Sequence, residues 1–283
     1  MFATGSLARR IEQAEASLIA EGAAAAARRT PAGQAFALPL RGGVAAYAEP
    51  GSPLNKIAGL GFDGVPAAAE LEAIERAYAG RNCPVHVELP SFADPDIGRL
   101  LTRRGYELAG YENVSGLALT DAAPDRAGPP DGVTILRVGA AEAEEWLRAV
   151  TVGFGTADVF DGLASHESFS DDVIRRAVDD MTQASGMERY LALRDGVPAG
   201  GASFRTFERV AQLCGSATLP EHRRRGVQST LLRHRIAEAA RLGCDVAVVT
   251  TQPGSKSQEN VHRFGFALLY VRAILVLPNG AVH

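Results

Sequence analysis

The spacing of apolar residues predicts alternating helices and strands from the start of the chain. Leu7, Ile11, Leu18 and Ile19 recur near helical spacing, so the Ala-rich segment 7–29 is predicted to form an amphipathic helix. Short apolar runs bounded by Gly, Pro and Ser predict strands after it. These further elements are strands at 42–47, 56–61, 85–89 and 106–119, and helices at 70–78 and 96–104.

The later part of the chain shows the same alternation. Asp195 and Gly196 predict the turn of a hairpin that extends from Tyr190 to Phe207, and Gly243 is a typical helix stop. Strands and helices in alternation indicate an α/β or α+β sheet with helices packed on it. The other predicted elements are strands at 133–137, 210–219, 246–250 and 266–277, and helices at 142–152, 171–184, 227–242 and 257–263.

One segment interrupts this alternation. Residues 120–132 are rich in Pro, Asp, Ala and Gly and have no apolar repeat, which is typical of a linker. We therefore predict two domains, a first half at 1–120 and a second half at 133–283, joined by a linker at 121–132. A faint repeat supports this division, because segments 102–114 and 262–274 both run from a basic helix through Gly and an aromatic residue into a strand.

Composition narrows the class of protein. The chain of 283 residues is 46% hydrophobic and 22% charged, which is typical of a soluble globular protein, and its net charge of −4 argues against a nucleic-acid partner. The charges near the N-terminus exclude a signal peptide and a membrane span there. Three scattered cysteines favour a reducing compartment. We expect a cytoplasmic monomer or homodimer with no membrane partner.

The segment Ser216–Gly243 carries the chemical prediction. A strand ends, a basic turn follows, and a helix begins, and the first amides of a helix are unpaired and favour phosphate groups. Arg223, Arg224 and Arg225 raise the local positive potential, and Gly226 allows a ligand to approach the backbone closely. The segment predicts an anion site, with a solvated basic loop as the alternative interpretation.

The sequence PEHRRRGVQSTLL within this segment resembles the acetyl-CoA signature of the GNAT superfamily of N-acetyltransferases. Pro220, Arg223 and Gly226 hold signature positions, whereas Gln228 stands where the family has Gly or Ala. The later pair Gly265–Phe266 also matches. The resemblance extends over the second half and implies a mixed, mostly antiparallel sheet with helices on both faces. It also implies acetyl-CoA as the cofactor.

The resemblance further implies which residues hold that cofactor. The turn would surround the pyrophosphate, the end of the preceding strand would pair with the pantetheine amides, and one serine of the last helix would line the cofactor. In that order, the implied residues are Arg224, Arg225, Gly226, Val227, Gln228 and Ser229; Ser216, Ala217 and Thr218; and Ser257.

The catalytic groups follow less directly. Many members of the family use a tyrosine to protonate the departing thiolate, and Val261 stands at that position here. Ser257 and Asn260 are candidate catalytic hydrogen-bond donors, and a polar cap or surface residue is the alternative for each. Two residues could act as the general base: Glu208 lies near a strand edge, and His166 lies in the loop where the family's acceptor site would be. An exposed position without a catalytic role is the simpler interpretation of each.

Two functions remain open from the sequence. The first is transfer of an acetyl group from acetyl-CoA to an amine of a small molecule or protein. The second is a non-catalytic acyl-CoA-binding or sensor protein, which the missing tyrosine favours. Neither needs a metal, since the histidines show no ligand spacing, and Cys214 in a predicted central strand lacks the neighbours of a nucleophile.

The first half has no comparable anion site. Its corresponding turn, residues 63–71, contains no arginine and carries Asp63 and Glu70, which disfavour a pyrophosphate. We therefore expect a tandem arrangement in which the first half is a degenerate GNAT-like domain without a cofactor site. It would shape one wall of the acceptor cleft, because clefts favour domain boundaries. An unrelated small α/β domain is the alternative.

Overall fold

The computed structural model describes residues 1–119, 130, 132–155 and 169–279, which form seven helices and eleven strands. The helices are α1 (Gly5–Arg29), α2 (Ala68–Ala79), α3 (Pro95–Arg103), α4 (Ala143–Gly155), α5 (Asp171–Thr182), α6 (Val227–Arg241) and α7 (Lys256–Arg263). The strands are β1 (Phe36–Leu40), β2 (Gly43–Tyr47), β3 (Lys56–Ala58), β4 (Val85–Pro90), β5 (Glu107–Ala118), β6 (Val133–Arg137), β7 (Met187–Arg194), β8 (Val197–Phe207), β9 (Val210–Thr218), β10 (Val246–Thr251) and β11 (Ala267–Leu277).

All eleven strands belong to one sheet. Their order is β1-β2-β3-β4-β11-β5-β10-β9-β8-β7-β6, and every neighbouring pair is antiparallel except β3–β4 and β9–β10. Apolar clusters place α1, α4 and α5 on one face and α2, α3, α6 and α7 on the other. The predicted fold class is confirmed, with the difference that the sheets of the two halves are joined edge to edge into one.

The two halves exchange their last strands. Strand β11 lies between β4 and β5 of the first half, and β5 lies between β11 and β10 of the second half. The exchanged strands pair with each other, with Arg272 directly opposite Glu112. Most of the predicted linker, 121–132, lies outside the described residues, so the domain boundaries stay a prediction.

The order of elements repeats along the chain. A hairpin is followed by a strand, a helix, a strand, a helix and a final strand, first from β1 to β5 and again from β7 to β11. The segments that show the faint sequence repeat occupy equivalent places, because each runs from the end of α3 or α7 into an exchanged strand. Gly105 and Gly265 mark the same turn in both, and both have positive φ.

One strand was missing from the sequence-based prediction. Strand β1 lies at the edge of the sheet, and its residues 37–39 are exposed, so it shows no alternation of apolar and polar positions. Within the described ranges, no helix is both long enough and apolar enough to cross a membrane.

Candidate functional site

The basic turn folds as an open helix start. After β9, a 3₁₀ turn at Pro220–His222 leads to α6, and Arg224 and Gly226 adopt left-handed φ values of 58° and 78°. Gly226 caps α6 without a side-chain hydrogen bond, and the first turn of the helix carries no acidic residue. The amides of the first turn therefore have no intrahelical partner, and the turn itself contributes no carboxylate, which are two features of an anion site.

Gly226 has a second reason to be glycine. A Cβ on this residue would lie 2.5 Å from Cγ of Pro130, so the end of the connection between the halves packs directly on the turn. The positive φ also favours glycine. The contact with Pro130 and the positive φ both require glycine without any ligand, whereas the sequence suggested only the close approach of a ligand as the reason.

Strands β9 and β10 separate next to this turn. They pair from Val246 with Val210 to Val248 with Gln212, and within the described part of the chain the rest of β9 has no strand paired to it on this side. The register of β9 with β8 also shifts between Gly201 and Ser203, which marks a bulge. The two central parallel strands thus form a V-shaped opening in the sheet.

The predicted pantetheine-binding residues line one side of this opening. The hydroxyl oxygens of Ser216 and Thr218 are buried, and neither has a hydrogen-bond partner within the part of the chain that the structure describes. Buried polar atoms are normally paired, so these two hydroxyls fit a ligand that carries its own amide groups. Of the two residues, Ser216 also lines the cavity beside the opening.

A cavity of about 350 Å³ passes through the opening. On the side of α6 and α7 it is lined by Gln228, Leu232, Arg235, Ser257 and Val261, and on the other side it reaches α1. Burial lowers the pKa of Arg235 to about 10, and its Nη1 donates to the Ser203 carbonyl at 2.9 Å. Two ligands that enter from opposite faces of the sheet could meet inside this cavity.

The two candidate catalytic donors lie in different positions. Ser257 lines the cavity, whereas Asn260 does not, and the Nδ2 of Asn260 donates to Oε1 of Gln228 at 3.0 Å. Asn260 therefore links α7 to the first turn of α6. Val261, at the tyrosine position that the resemblance implies, is buried and lines the cavity.

Other candidates have simpler explanations. Burial raises the pKa of the Cys214 thiol, which makes it a poor nucleophile. Glu208 lies in the exposed turn between β8 and β9. His166 is outside the described residues, and the described ranges contain no cluster of His, Cys, Asp and Glu suited to a metal ion.

The sequence did not point to the polar residues on the α1 side of the cavity. Glu15, Lys56, Glu88, Glu112, Gln212 and Arg272 line it there. Burial and the charge of Glu88 raise the pKa of Glu112 to about 7. The pKa of Lys56 is raised as well, because nearby carboxylates outweigh the effect of its burial. The sequence signal that could have indicated these residues is the position of Glu12 and Glu15 next to the apolar positions of α1.

Comparisons with known proteins agree with this geometry. Residues 157–266 match the acetyltransferase (GNAT) family. The chain matches no curated protein sequence at a significant level.

Several solved structures share the fold over the full chain. A GCN5-related N-acetyltransferase from Kribbella flavida is 21% identical with a TM-score of 0.62, and the alignment covers 94% of this chain and 96% of that one. A GCN5-related N-acetyltransferase from Sphaerobacter thermophilus is 16% identical with a TM-score of 0.58 and coverage of 98% and 94%.

The arrangement of two halves also has a counterpart. A tandem GNAT protein from the clavulanic acid biosynthesis pathway is 13% identical with a TM-score of 0.61, and coverage is 97% of this chain and 96% of that one. These structural alignments establish a common fold. The family match covers the part of the chain that contains the start of α6 and the opening between β9 and β10. Residues 157–266 therefore match the acetyltransferase (GNAT) family, and the chain as a whole shares the fold of these solved structures.

Proposed function

We propose that the protein is an N-acetyltransferase that moves the acetyl group of acetyl-CoA to an amine. One observation carries the proposal: the cavity crosses the sheet where β9 and β10 separate, directly beside the open start of α6. A donor bound at the helix start and an acceptor bound near α1 would then approach each other through the opening.

The donor would be held by groups of the second half. The first-turn amides of α6, with Arg224 and Arg225 beside them, would bind the pyrophosphate, because they combine unpaired N–H groups with positive charge. The edge of β9 at Ser216, Ala217 and Thr218, which faces the opening towards β10, would pair with the pantetheine amides. The full proposed set is Ser216, Ala217, Thr218, Arg224, Arg225, Gly226, Val227, Gln228, Ser229 and Ser257.

When bound, acetyl-CoA supplies a thioester that an amine can attack. The chain's own residues contribute by holding the two ligands in line and by excluding water, and positioning of this kind provides much of the rate of acyl transfer. Ser257 is the better placed of the two proposed hydrogen-bond donors because it lines the cavity. Asn260 would act by fixing Gln228 at the helix start.

Binding and turnover test the proposal together. We expect titration with CoA to release heat and to protect the amides of residues 224–229 from hydrogen exchange. We also expect thioester loss from acetyl-CoA to accelerate with at least one member of a panel of amines. If neither heat nor protection of this turn is observed, the proposal is wrong.

A non-catalytic acyl-CoA sensor is the second candidate. It is favoured by Val261, since a buried valine at this place cannot protonate a thiolate, and none of the described residues that line the cavity is a tyrosine. This alternative predicts the same heat and protection with CoA but no turnover with any amine. Product from a single acceptor would exclude it.

The first half would act as a support without a cofactor site of its own. Its helix α2 begins with the Ala67 amide donating to the Glu70 carboxylate at 2.7 Å, so an anion already occupies that helix start. We also propose a reducing, cytoplasmic setting, which agrees with the three free cysteines.

A further inference from the structure

The α1 side of the cavity has a composition that points to a class of acceptor. One wall is apolar and is formed by Ile11, Leu18, Ile19, Leu54 and Met181. The same side of the cavity also carries a band of charged side chains, which come from the sheet and from α1. A ligand that fills this space therefore needs both an apolar part and a polar part, and the charges decide which polar part fits.

Four carboxyl groups and two cations make up the charged band. Glu12 and Glu15 come from α1, Glu88 from β4 and Glu112 from β5, while the cations are Lys56 of β3 and Arg272 of β11. The band is mostly buried, since Glu12 and Arg272 are no more than 1% exposed and Glu88 is 4% exposed, whereas 31% of the Glu112 side chain is exposed. With all groups ionised, the band carries an excess of negative charge.

Two of the four carboxylates form hydrogen-bonded ion pairs with the two cations. Lys56 donates to Glu88 at 2.5 Å, and Arg272 Nε donates to Glu12 at 2.8 Å. Glu15 and Glu112 are farther from Arg272, at 3.8 and 3.6 Å. These two carboxylates thus carry the excess charge, and both line the cavity.

Among the described residues, some oxygen atoms of the band and of Gln212 beside it have no hydrogen-bond partner, and these atoms are acceptors. Gln212 is 8% exposed and lines the cavity, its Nε2 donates to Glu15 at 2.6 Å, and its Oε1 has no hydrogen-bond partner among the described residues. The same is true of Oε2 of Glu112. A buried acceptor without a donor is destabilising, so these oxygens are suited to a ligand that brings donors. An ammonium group offers three donors and no acceptor.

From these contacts we propose that the acceptor is a small primary amine with an apolar carbon skeleton, which binds as an ammonium at the charged band beside Glu112. The inference rests on the proposed acetyl transfer and names its second substrate. The apolar part of the amine packs between α1 and Met181. Glu112 belongs to the exchanged strand β5, so the first half supplies the partner of the ammonium.

The interior position of the band favours a small molecule over a protein. A peptide segment would bring backbone amides against Ile11, Leu18 and Met181, where they would lose their hydrogen bonds to water. The cavity of about 350 Å³ is in the range of small-molecule sites, and part of it belongs to the cofactor side.

Binding to the full chain without acetyl-CoA tests the inference. The probes are 2-phenylethylamine, its neutral isostere 2-phenylethanol and phenylacetate as the anion, titrated by calorimetry at pH 8. We expect the amine to bind at least tenfold more tightly than the alcohol and phenylacetate not to bind. Equal affinities for amine and alcohol would overturn the inference, as would tighter binding of the tripeptide Ala-Lys-Ala than of the amine.

Two variants separate this site from the cofactor site. Glu112→Gln is expected to weaken the amine at least tenfold and to leave CoA and 2-phenylethanol unchanged, whereas Glu107→Gln, on the exposed part of the same strand, leaves all three unchanged. Undiminished amine binding in Glu112→Gln overturns the inference while CoA binding stands. If the wild-type protein does not bind CoA, the proposed function is wrong, and the amine then has no role as an acceptor.

Discussion

The two halves build the same strand–turn–helix unit and fill its helix start differently. In the first half, the Ala67 amide at the start of α2 donates to Glu70, and Arg41 pairs with that carboxylate at 2.7 Å. In the second half, α6 begins at Gly226 with no capping side chain and no acid in its first turn. The same backbone geometry is therefore self-satisfied in one half and open to an outside anion in the other.

The side chains on the paired parallel strands of each half differ as well. The pairings of β4 with β11 and of β10 with β5 make Glu88 equivalent to Thr250 and Lys56 equivalent to Gln212. Lys56 of β3 and Glu88 of β4 form an ion pair of 2.5 Å, whereas Gln212 bonds to Glu15, and its Oε1 has no hydrogen-bond partner among the described residues. The two halves thus share the order of their elements and differ in the side chains at these equivalent positions.

Copying the acid of the first half into the second should produce the largest effect. We expect Ser229→Asp to weaken CoA at least tenfold, about 1.4 kcal/mol or more, because a carboxylate in the first turn of α6 repels a pyrophosphate. The variant should fold, since an acidic residue in the first turn of a helix interacts favourably with the helix dipole. Calorimetry gives the affinity, and Ser229→Asn is the neutral control. Equal affinities of the two variants would show that the helix start does not bind the phosphates.

Removing the charge of Glu112 should stabilise the protein. The raised pKa of about 7 means that ionising Glu112 opposes folding, so its contribution to stability is complete below about pH 4.5 and is lost as the pH rises through 7. With 31% of the side chain exposed, we expect Glu112→Gln to gain on the order of 1 kcal/mol at pH 8 and much less near pH 5.

Urea unfolding at the two pH values measures this gain, with Glu107→Gln as the control. The same ionisation should tighten amine binding between pH 6 and 8 in the wild-type protein. Glu15, Lys56, Glu88 and Arg272 are the other charged groups that face Glu112 and act on its pKa. A Glu112→Gln protein that is less stable at pH 8 would contradict this account of the charged band.

The exposed arginines of the basic turn should contribute less. We expect Arg225→Gln to weaken CoA about threefold at low salt, because a solvent-exposed charge attracts a phosphate only through screened electrostatics. The difference should disappear near 0.5 M NaCl, where the screening length is only about 4 Å. Arg103→Gln, an exposed position in the first half, should have no effect at either salt concentration.

Opening the helix start of the first half should have the smallest effect. The Arg41 guanidinium and the Ala67 amide hold the pKa of Glu70 below its ordinary value, so its contribution to stability is present above about pH 4.5 and is lost as the pH falls. We expect Glu70→Gln to lower Tm by about 1–2 °C at pH 7 and not at pH 3. CoA affinity should not change. A second CoA bound by this variant would mean that Glu70 alone closes the first site.

Most of the elements could be predicted because local periodicity determines them. The helix at α6 and the strand at β10 match their predicted ranges to within one residue at each end, since one has a Gly stop and the other a β-branched apolar run. The edge strand β1 was missed because exposed residues on both of its faces leave no alternation. The basic turn was predictable because its chemistry is contiguous in sequence.

The charged band could not be predicted because its parts are distant in sequence. Glu15, Glu112 and Arg272 come together only through the exchange of β5 and β11, and strand pairing across the two halves leaves no local pattern. The faint repeat contained a hint, since Glu112 and Arg272 stand at the same position after Gly105 and Gly265. Two equivalent positions with opposite charge face each other where the halves meet.

The place of β11 in the sheet also governs how the protein can be made. Of the strands that the structure describes, β11 is synthesised last, yet it occupies the middle of the sheet between β4 and β5. When translation has produced the chain only up to β10, the edges of β4 and β5 that later pair with β11 are still unpaired. Unpaired strand edges are prone to associate with other chains. Completion of the sheet must wait for residues 267–277, so neither half can mature as a free-standing module during translation.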